Sequence, residues 1–127
     1  MKKLILAIDD NRDFLKILED MLKENGYRVE TLDDPVKAEE VIDKVDPDLL
    51  LIDILMPGRS GFNLIEDFKE KGLYEDIPKV FLTCLDDDIE RMTAIAHGIT
   101  RYITKPCDPK ELLDLIKNVL EEEEVSK

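Results

Sequence analysis

Cysteine and histidine are too scarce in this chain to supply the chemistry they usually carry. The two cysteines, Cys84 and Cys107, make no disulfide framework and no metal-ligand spacing. A single histidine, His97, leaves no partner for a zinc cluster or a nucleophile–histidine pair. Apolar runs are short, and none approaches the roughly 20 residues a membrane-spanning helix needs. Lys2 and Lys3 before Leu4–Ile8 imitate the start of a signal peptide, but the run stops at Asp9 and no small-residue cleavage site follows. Positive charge is also short: 18 Lys and Arg against 31 Asp and Glu leave −13. That balance argues against direct nucleic-acid binding and for cationic partners or a bound metal. The expectation is a cytoplasmic chain with no membrane contact.

What is present reads as a globular protein, with 43% hydrophobic and 39% charged residues. A length of 127 residues suits a single domain with a real core. The domain is expected to fill residues 1–127, its core about 3–120, with 121–127 as an acidic tail. Short apolar runs alternate with amphipathic stretches. The runs are Leu4–Ile8, Tyr27–Leu32, Leu49–Ile52, Val80–Leu82 and Tyr102–Ile103. Between them, Ala38, Val41, Ile42 and Val45 recur at helical spacing, as do Leu112, Ile116, Val119 and Leu120. Asp34–Pro35 and Asp108–Pro109 each place a capping acid before a proline at the first helical position, and Glu111 completes a capping-box spacing. Gly26, Gly72 and Gly98 fall where helices should end. Asp86, Asp87 and Asp88 read as the cap of a fourth helix, and Glu121–Glu124 oppose the dipole of the last, which should fray there.

Five β-α repeats predict a parallel sheet covered by helices on both faces. Leu49–Ile52 is apolar at every position, as a central parallel strand should be. Ligands bind such sheets beyond the carboxyl ends of the strands. Asp9 and Asp10 follow the first run, Asp53 the third, Thr83 the fourth and Lys105 the fifth. Three carboxylates, a hydroxyl and an ammonium are therefore expected along one edge.

Carboxylates gathered so closely repel: a like pair at about 4 Å costs on the order of 4 kcal/mol at an effective dielectric near 20. Lys105 alone cannot neutralise three acids. A hard divalent cation suits all-oxygen ligands, and Mg²⁺ fits best. A carboxylate can itself be the nucleophile that takes up a phosphoryl group, a reaction needing alignment and charge neutralisation more than covalent help. Each residue has a plainer role when taken alone. Asp9-Asp10 could cap the first helix, Asp53 could be a turn residue before Pro57 and Gly58, Lys105–Pro106 a solvated turn, and Thr83 a strand terminus. Their joint occurrence at successive strand ends favours the site.

The acidic pair Asp9-Asp10, the stretch Asp53-Ile54-Leu55-Met56-Pro57 with Gly61 beyond it, Thr83, and Tyr102-Ile103-Thr104-Lys105-Pro106 together resemble the receiver domain of bacterial two-component response regulators, of the chemotaxis-regulator kind. The resemblance runs from Lys3 to about Leu120. It implies an α/β, flavodoxin-like three-layer fold, with a five-stranded parallel sheet of order 2-1-3-4-5 and five helices. It implies phosphoryl acceptance on Asp53 from a sensor histidine kinase or phosphotransfer protein. By motif position, Asp10 and Asp53 would ligate Mg²⁺ directly, Asp9 largely through water, and the Leu55 backbone carbonyl would complete the set. Lys105 would pair with the phosphoryl group and Thr83 would donate a hydrogen bond to it. Movement of Thr83 would couple to the rotamer of Tyr102, remodelling the surface of the fourth helix, fifth strand and fifth helix. That surface would engage a downstream protein partner or a fused effector, with phosphorylation-dependent dimerisation left open. The domain would then be a signalling acceptor that catalyses only its own phosphoryl transfer and slow dephosphorylation, not an enzyme.

Some positions depart from the family pattern. Arg59 and Ser60 stand where Met and Asp are frequent, Ile99 where a small residue is usual, and Cys107 where an aromatic is common. They bear on partner choice more than on chemistry. Leu55 and Leu85 should overhang the phosphorylated site and exclude a hydrolytic water. Competing readings are an aspartate-nucleophile phosphatase, a flavin module on the same fold, and a scaffold that works without phosphorylation. The first lacks an acid at Leu55, the second would set Asp9-Asp10 against a phosphate, and the third leaves a full acceptor set unused.

Overall fold

Strand β3, Leu49–Ile52, is buried at all four positions and organises the sheet around it. The computed structural model describes residues 2–83, 101–105 and 108–126. In chain order the elements are β1 (Leu4–Ile8), α1 (Arg12–Glu24), β2 (Arg28–Leu32), a 3₁₀ turn (Pro35–Lys37), α2 (Ala38–Val45), β3, α3 (Gly61–Lys71), β4 (Lys79–Thr83), β5 (Arg101–Thr104) and a C-terminal helix (Pro109–Ser126). All strand pairs are parallel and their order is β2-β1-β3-β4-β5. The flavodoxin-like sheet expected from the sequence is therefore present. Four α-helices lie among the described residues, and the fifth expected one, capped by Asp86–Asp88 and ending at Gly98, lies outside them, as do Cys84, Leu85, His97, Ile99 and Cys107.

Alternation along the strands builds two cores. Ile5 and Ala7, Leu49 and Leu51, and Val80 and Leu82 face one side, packed by Leu15, Leu18 and Leu22 of α1 and by Leu112, Ile116 and Val119 of the C-terminal helix. Leu6 and Ile8, Leu50 and Ile52, and Phe81 face the other, under Ala38 and Ile42 of α2 and Leu64, Ile65 and Phe68 of α3. This period of two is the pleat of a strand buried on both faces. A substitution such as Leu51→Ala, at 2% exposure, should cost about 2–5 kcal/mol.

Helix ends follow local chemistry. Gly72, at φ +64°, lets α3 stop with its N–H on the Lys69 carbonyl (3.2 Å) and the Leu73 N–H on Phe68 O (2.8 Å). Gly26 closes α1 with the same bond pattern, onto Lys23 and Leu22. Two details differ from expectation. Asp34 caps a 3₁₀ turn rather than the α-helix, its side chain accepting from Val36 N, and α2 begins only at Ala38. Tight i→i+3 turns are common where a helix starts. At the other end of the chain the last helix spans Pro109–Ser126, and Arg101 of β5 pairs with Glu122 Oε1 at 2.6 Å. That cation offsets part of the acidic charge at the helix end.

The chain leaves β1 for α1 on one face and β3 for α3 on the other. The crevice between these diverging loops is the switch point of the sheet, where such folds bind ligands.

Candidate functional site

Backbone ladder bonds carry the first two acids into that crevice. The Asp9 N–H donates to Leu32 O at 3.1 Å and the Asp53 N–H to Ile8 O at 3.0 Å, so each acid extends its strand's pairing by one residue. Both are buried, at 4% and 7% exposure, whereas Asp10 is exposed. Each of the three offers a carboxylate oxygen within 4.8 Å of the others. Asp9 and Asp10 do not cap α1. Asn11 does, its side-chain oxygen accepting from Phe14 N at 3.0 Å.

Local donors meet part of the charge. Asp9 Oδ1 accepts from Asn11 N at 3.0 Å, and Asp53 Oδ1 accepts from Leu55 N at 3.3 Å. Lys105, just beyond β5, sends Nζ to 2.6 Å from Asp9 Oδ2 and 3.7 Å from Asp53 Oδ2. Its ammonium also lies 4.0 Å from the centroid of the Phe14 ring. One lysine against three carboxylates leaves net negative charge between two buried acids. Hard oxygen donors in excess of local cations are a set that fits Mg²⁺.

The loop after Asp53 is held at both ends. Gly61, the first residue of α3, comes so near the end of β3 that a Cβ there would sit 2.5 Å from Asp53 O, closer than any side chain tolerates. Its N–H donates to Ile54 O at 3.0 Å, and Ser60 caps α3 by accepting from Asn63 N at 3.1 Å. Arg59 binds Glu39 in a two-pronged pair (2.6 and 2.8 Å), Asp67 Oδ2 at 2.9 Å and Pro35 O at 3.2 Å. That hydrogen-bonded guanidinium holds the Glu39 carboxyl below the usual carboxylate range. The Glu39 carbonyl and the Asp43 carboxylate both accept from the Tyr74 hydroxyl. Burial, and then the bond to Asp43, push the Tyr74 hydroxyl well above the ordinary phenol range.

Leu55 projects its side chain outward, at 51% exposure, two residues beyond Asp53. Thr83 is the last residue of β4, in register with Thr104, and Tyr102 pairs with Phe81 and packs against the α2–α3 core. Asp9, Asp10, Asp53 and Lys105 thus come together at one point. Sequence reasoning overlooked Asn11, Phe14 and the clamp made by Arg59. Asn11 was detectable, since Asn is a preferred cap at the residue before a helix. Nothing in one dimension signals which aromatic meets Lys105, or that Arg59 reaches back to α2.

Residues 5–117 match the response regulator receiver domain, and the chain belongs to that family. It is 33% identical over 120 residues to the phosphate regulon transcriptional regulatory protein PhoB of Escherichia coli (strain K12), covering 94% of this chain and 52% of PhoB. The chain spans about half the length of the curated relatives it matches. Among solved structures, a CheY-like response regulator receiver domain protein from Methanospirillum hungatei JF-1 aligns over 100% of both chains, with a TM-score of 0.91 and 28% identity. The BeF3-activated N-terminal receiver domain of Klebsiella pneumoniae RstA aligns at TM-score 0.86 and 31% identity, over 92% of this chain and 97% of its own. Receiver domains are signalling domains of response regulators, and the acidic cluster suits phosphoacceptor signalling. Among the described residues, no helix is long and apolar enough to cross a membrane.

Proposed function

We propose that residues 1–127 act as one receiver domain in which Asp53 accepts a phosphoryl group from a phosphohistidine of a sensor histidine kinase or phosphotransfer protein. The observation that carries this is the meeting of Asp9, Asp10 and Asp53 within 4.8 Å, with Lys105 as their counter-charge. A carboxylate oxygen of Asp53 attacks phosphorus, the bond from phosphorus to the imidazole nitrogen breaks, and an acyl phosphate remains. Asp10, Asp53 and the Leu55 carbonyl would hold Mg²⁺, and Asp9 would act mainly through water. Bound there, the cation supplies charge neutralisation for the incoming phosphoryl oxygens.

The remaining work falls to side chains of this chain. Lys105 moves from Asp9 toward the phosphoryl group, a short shift given its 3.7 Å separation from Asp53. The Leu55 N–H fixes one Asp53 oxygen and so orients the carboxylate. Thr83 donates a hydrogen bond to the phosphoryl group, and Tyr102 responds, since Thr83 pairs with Thr104, two residues along β5. The changed surface comprises β5, the C-terminal helix and the segment between β4 and β5. It binds a downstream partner, a fused effector or a second phosphorylated copy. The acidic balance of the chain fits protein partners in the cytoplasm rather than direct nucleic-acid contact by this domain. Intact mass after incubation with Mg²⁺ and acetyl phosphate tests the proposal. One added phosphoryl mass, lost when a chelator replaces Mg²⁺, is expected, and an unchanged mass under both conditions contradicts it.

A further inference from the structure

A lysine ammonium over an aromatic face is an arrangement that packing alone does not demand. Lys105 Nζ sits 4.0 Å from the Phe14 ring centroid while also bonded to Asp9. Phe14 is placed there by the site itself. Asp9 Oδ1 accepts from Asn11 N at 3.0 Å, and Asn11 Oδ1 accepts from Phe14 N at 3.0 Å. The contacts close into a ring running Asp9, Asn11, Phe14, Lys105 and back to Asp9. Behind the ring, Phe14 packs against the core under α1. Phe14 lines one crevice together with the buried acids Asp9 and Asp53.

The geometry points to Phe14 as a positioning residue that keeps the Lys105 ammonium at the site through its ring face. This inference rests on the phosphoacceptor reading above. Asp9 holds Lys105 through charge, and that hold weakens whenever Asp9 shares its charge with a cation. The ring's attraction comes from its quadrupole and does not depend on the charge state of Asp9. Lys105 is only 18% exposed, so the contact is partly desolvated and stronger than on an open surface. The ammonium therefore keeps one fixed partner while it shifts from Asp9 to a phosphoryl group on Asp53. A leucine would fill much the same space but leave water to compete for the charge.

The test compares wild type, Phe14→Leu and Phe14→Tyr, each alone and with Lys105→Ala, in Mg²⁺ and acetyl phosphate. Phe14→Leu should slow phosphorylation by about threefold to thirtyfold, the range for a partly desolvated cation–π contact, and Phe14→Tyr should stay near wild type. With Lys105→Ala present, Phe14→Leu should change the rate by less than about twofold, because the partner of the ring is gone. A second readout needs no phosphorylation. The Lys105 ε-methylene protons should resonate upfield in Mg²⁺-loaded wild type, shielded by the ring, and return to ordinary values in Phe14→Leu. Absence of that upfield shift overturns the inference, as does equal slowing by Phe14→Leu with and without Lys105. Wild-type uptake with an unchanged rate in Phe14→Leu overturns the positioning role alone. A wild-type chain that takes up no phosphoryl group overturns the phosphoacceptor reading, and this role with it.

Discussion

Lys105 Nζ lies 2.6 Å from Asp9 Oδ2 but 3.7 Å from Asp53 Oδ2, so the ammonium is docked on Asp9 rather than on Asp53. A group that must move to meet the phosphoryl oxygens can report their arrival. Lys105→Ala and Thr83→Ala should each still accept a phosphoryl group, more slowly by up to about 10²-fold, the scale of losing one preorganised charge or donor. Both should lose the phosphorylation-dependent NMR shifts around Tyr102. Wild-type shifts at Tyr102 in either variant would break the proposed link.

Divalent metal should stabilise the fold, because it relieves repulsion among acids that folding forces together. At Mg²⁺ one hundred times its Kd the gain is about 2.7 kcal/mol, readily visible in a thermal melt. Asp10 is exposed, so Asp10→Ala should fold normally and lose that gain. An identical Tm with and without millimolar Mg²⁺ in wild type counts against the site.

The Arg59 clamp should contribute stability with a defined pH dependence. Arg59→Met removes bonds to Glu39, Asp67 and Pro35 and should cost about 1–3 kcal/mol. Glu39 has its folded-state pKa lowered, chiefly by the hydrogen bond from Arg59. Its contribution is therefore fully present above the ordinary carboxylate pKa and fades as pH falls through the lower folded value. Urea melts between pH 7 and pH 3 should show wild type losing more stability over the acidic limb than Glu39→Gln. Parallel curves would assign no such role to this pair.

The phosphorylated state should be long-lived. Leu55 flanks Asp53 and cannot hydrogen-bond an attacking water, and Leu85 follows Thr83 in sequence at the same spacing at which Leu55 follows Asp53. A positioned water or base is worth about 10²–10⁴-fold, which bounds the effect. After removal of the donor, the double variant Leu55→Asn, Leu85→Glu should lose phosphate faster than wild type. Equal lifetimes would show that the leucines do not shield the site.

The sheet was legible because its evidence is local. Leu49–Ile52 is apolar at each position, and burial on both faces leaves no other pattern for a central strand. Strand ends moved by one residue where ladder bonds continue into polar residues, as at Lys79 and Thr83. The end of α2 was harder to read. Asp46 takes a left-handed conformation at φ +50° before Pro47, a role more often filled by glycine or asparagine. In the site, counting residues past each apolar run sufficed to place Asp9, Asp10, Asp53 and Lys105 along one edge. Their partners depend on distances that only the fold supplies. The docking of Lys105 on Asp9, the ring of Phe14 beside it and the reach of Arg59 to Glu39 join positions far apart in the chain.

The most direct measurement traps the acyl phosphate chemically and locates it. Wild type is incubated with Mg²⁺ and acetyl phosphate, reduced with borohydride, digested and sequenced by mass. The account predicts reduction of a single side chain, to homoserine at position 53, with no such product from Asp53→Asn. Homoserine at position 9, position 10 or any other position, or an undiminished yield of it from Asp53→Asn, would contradict it.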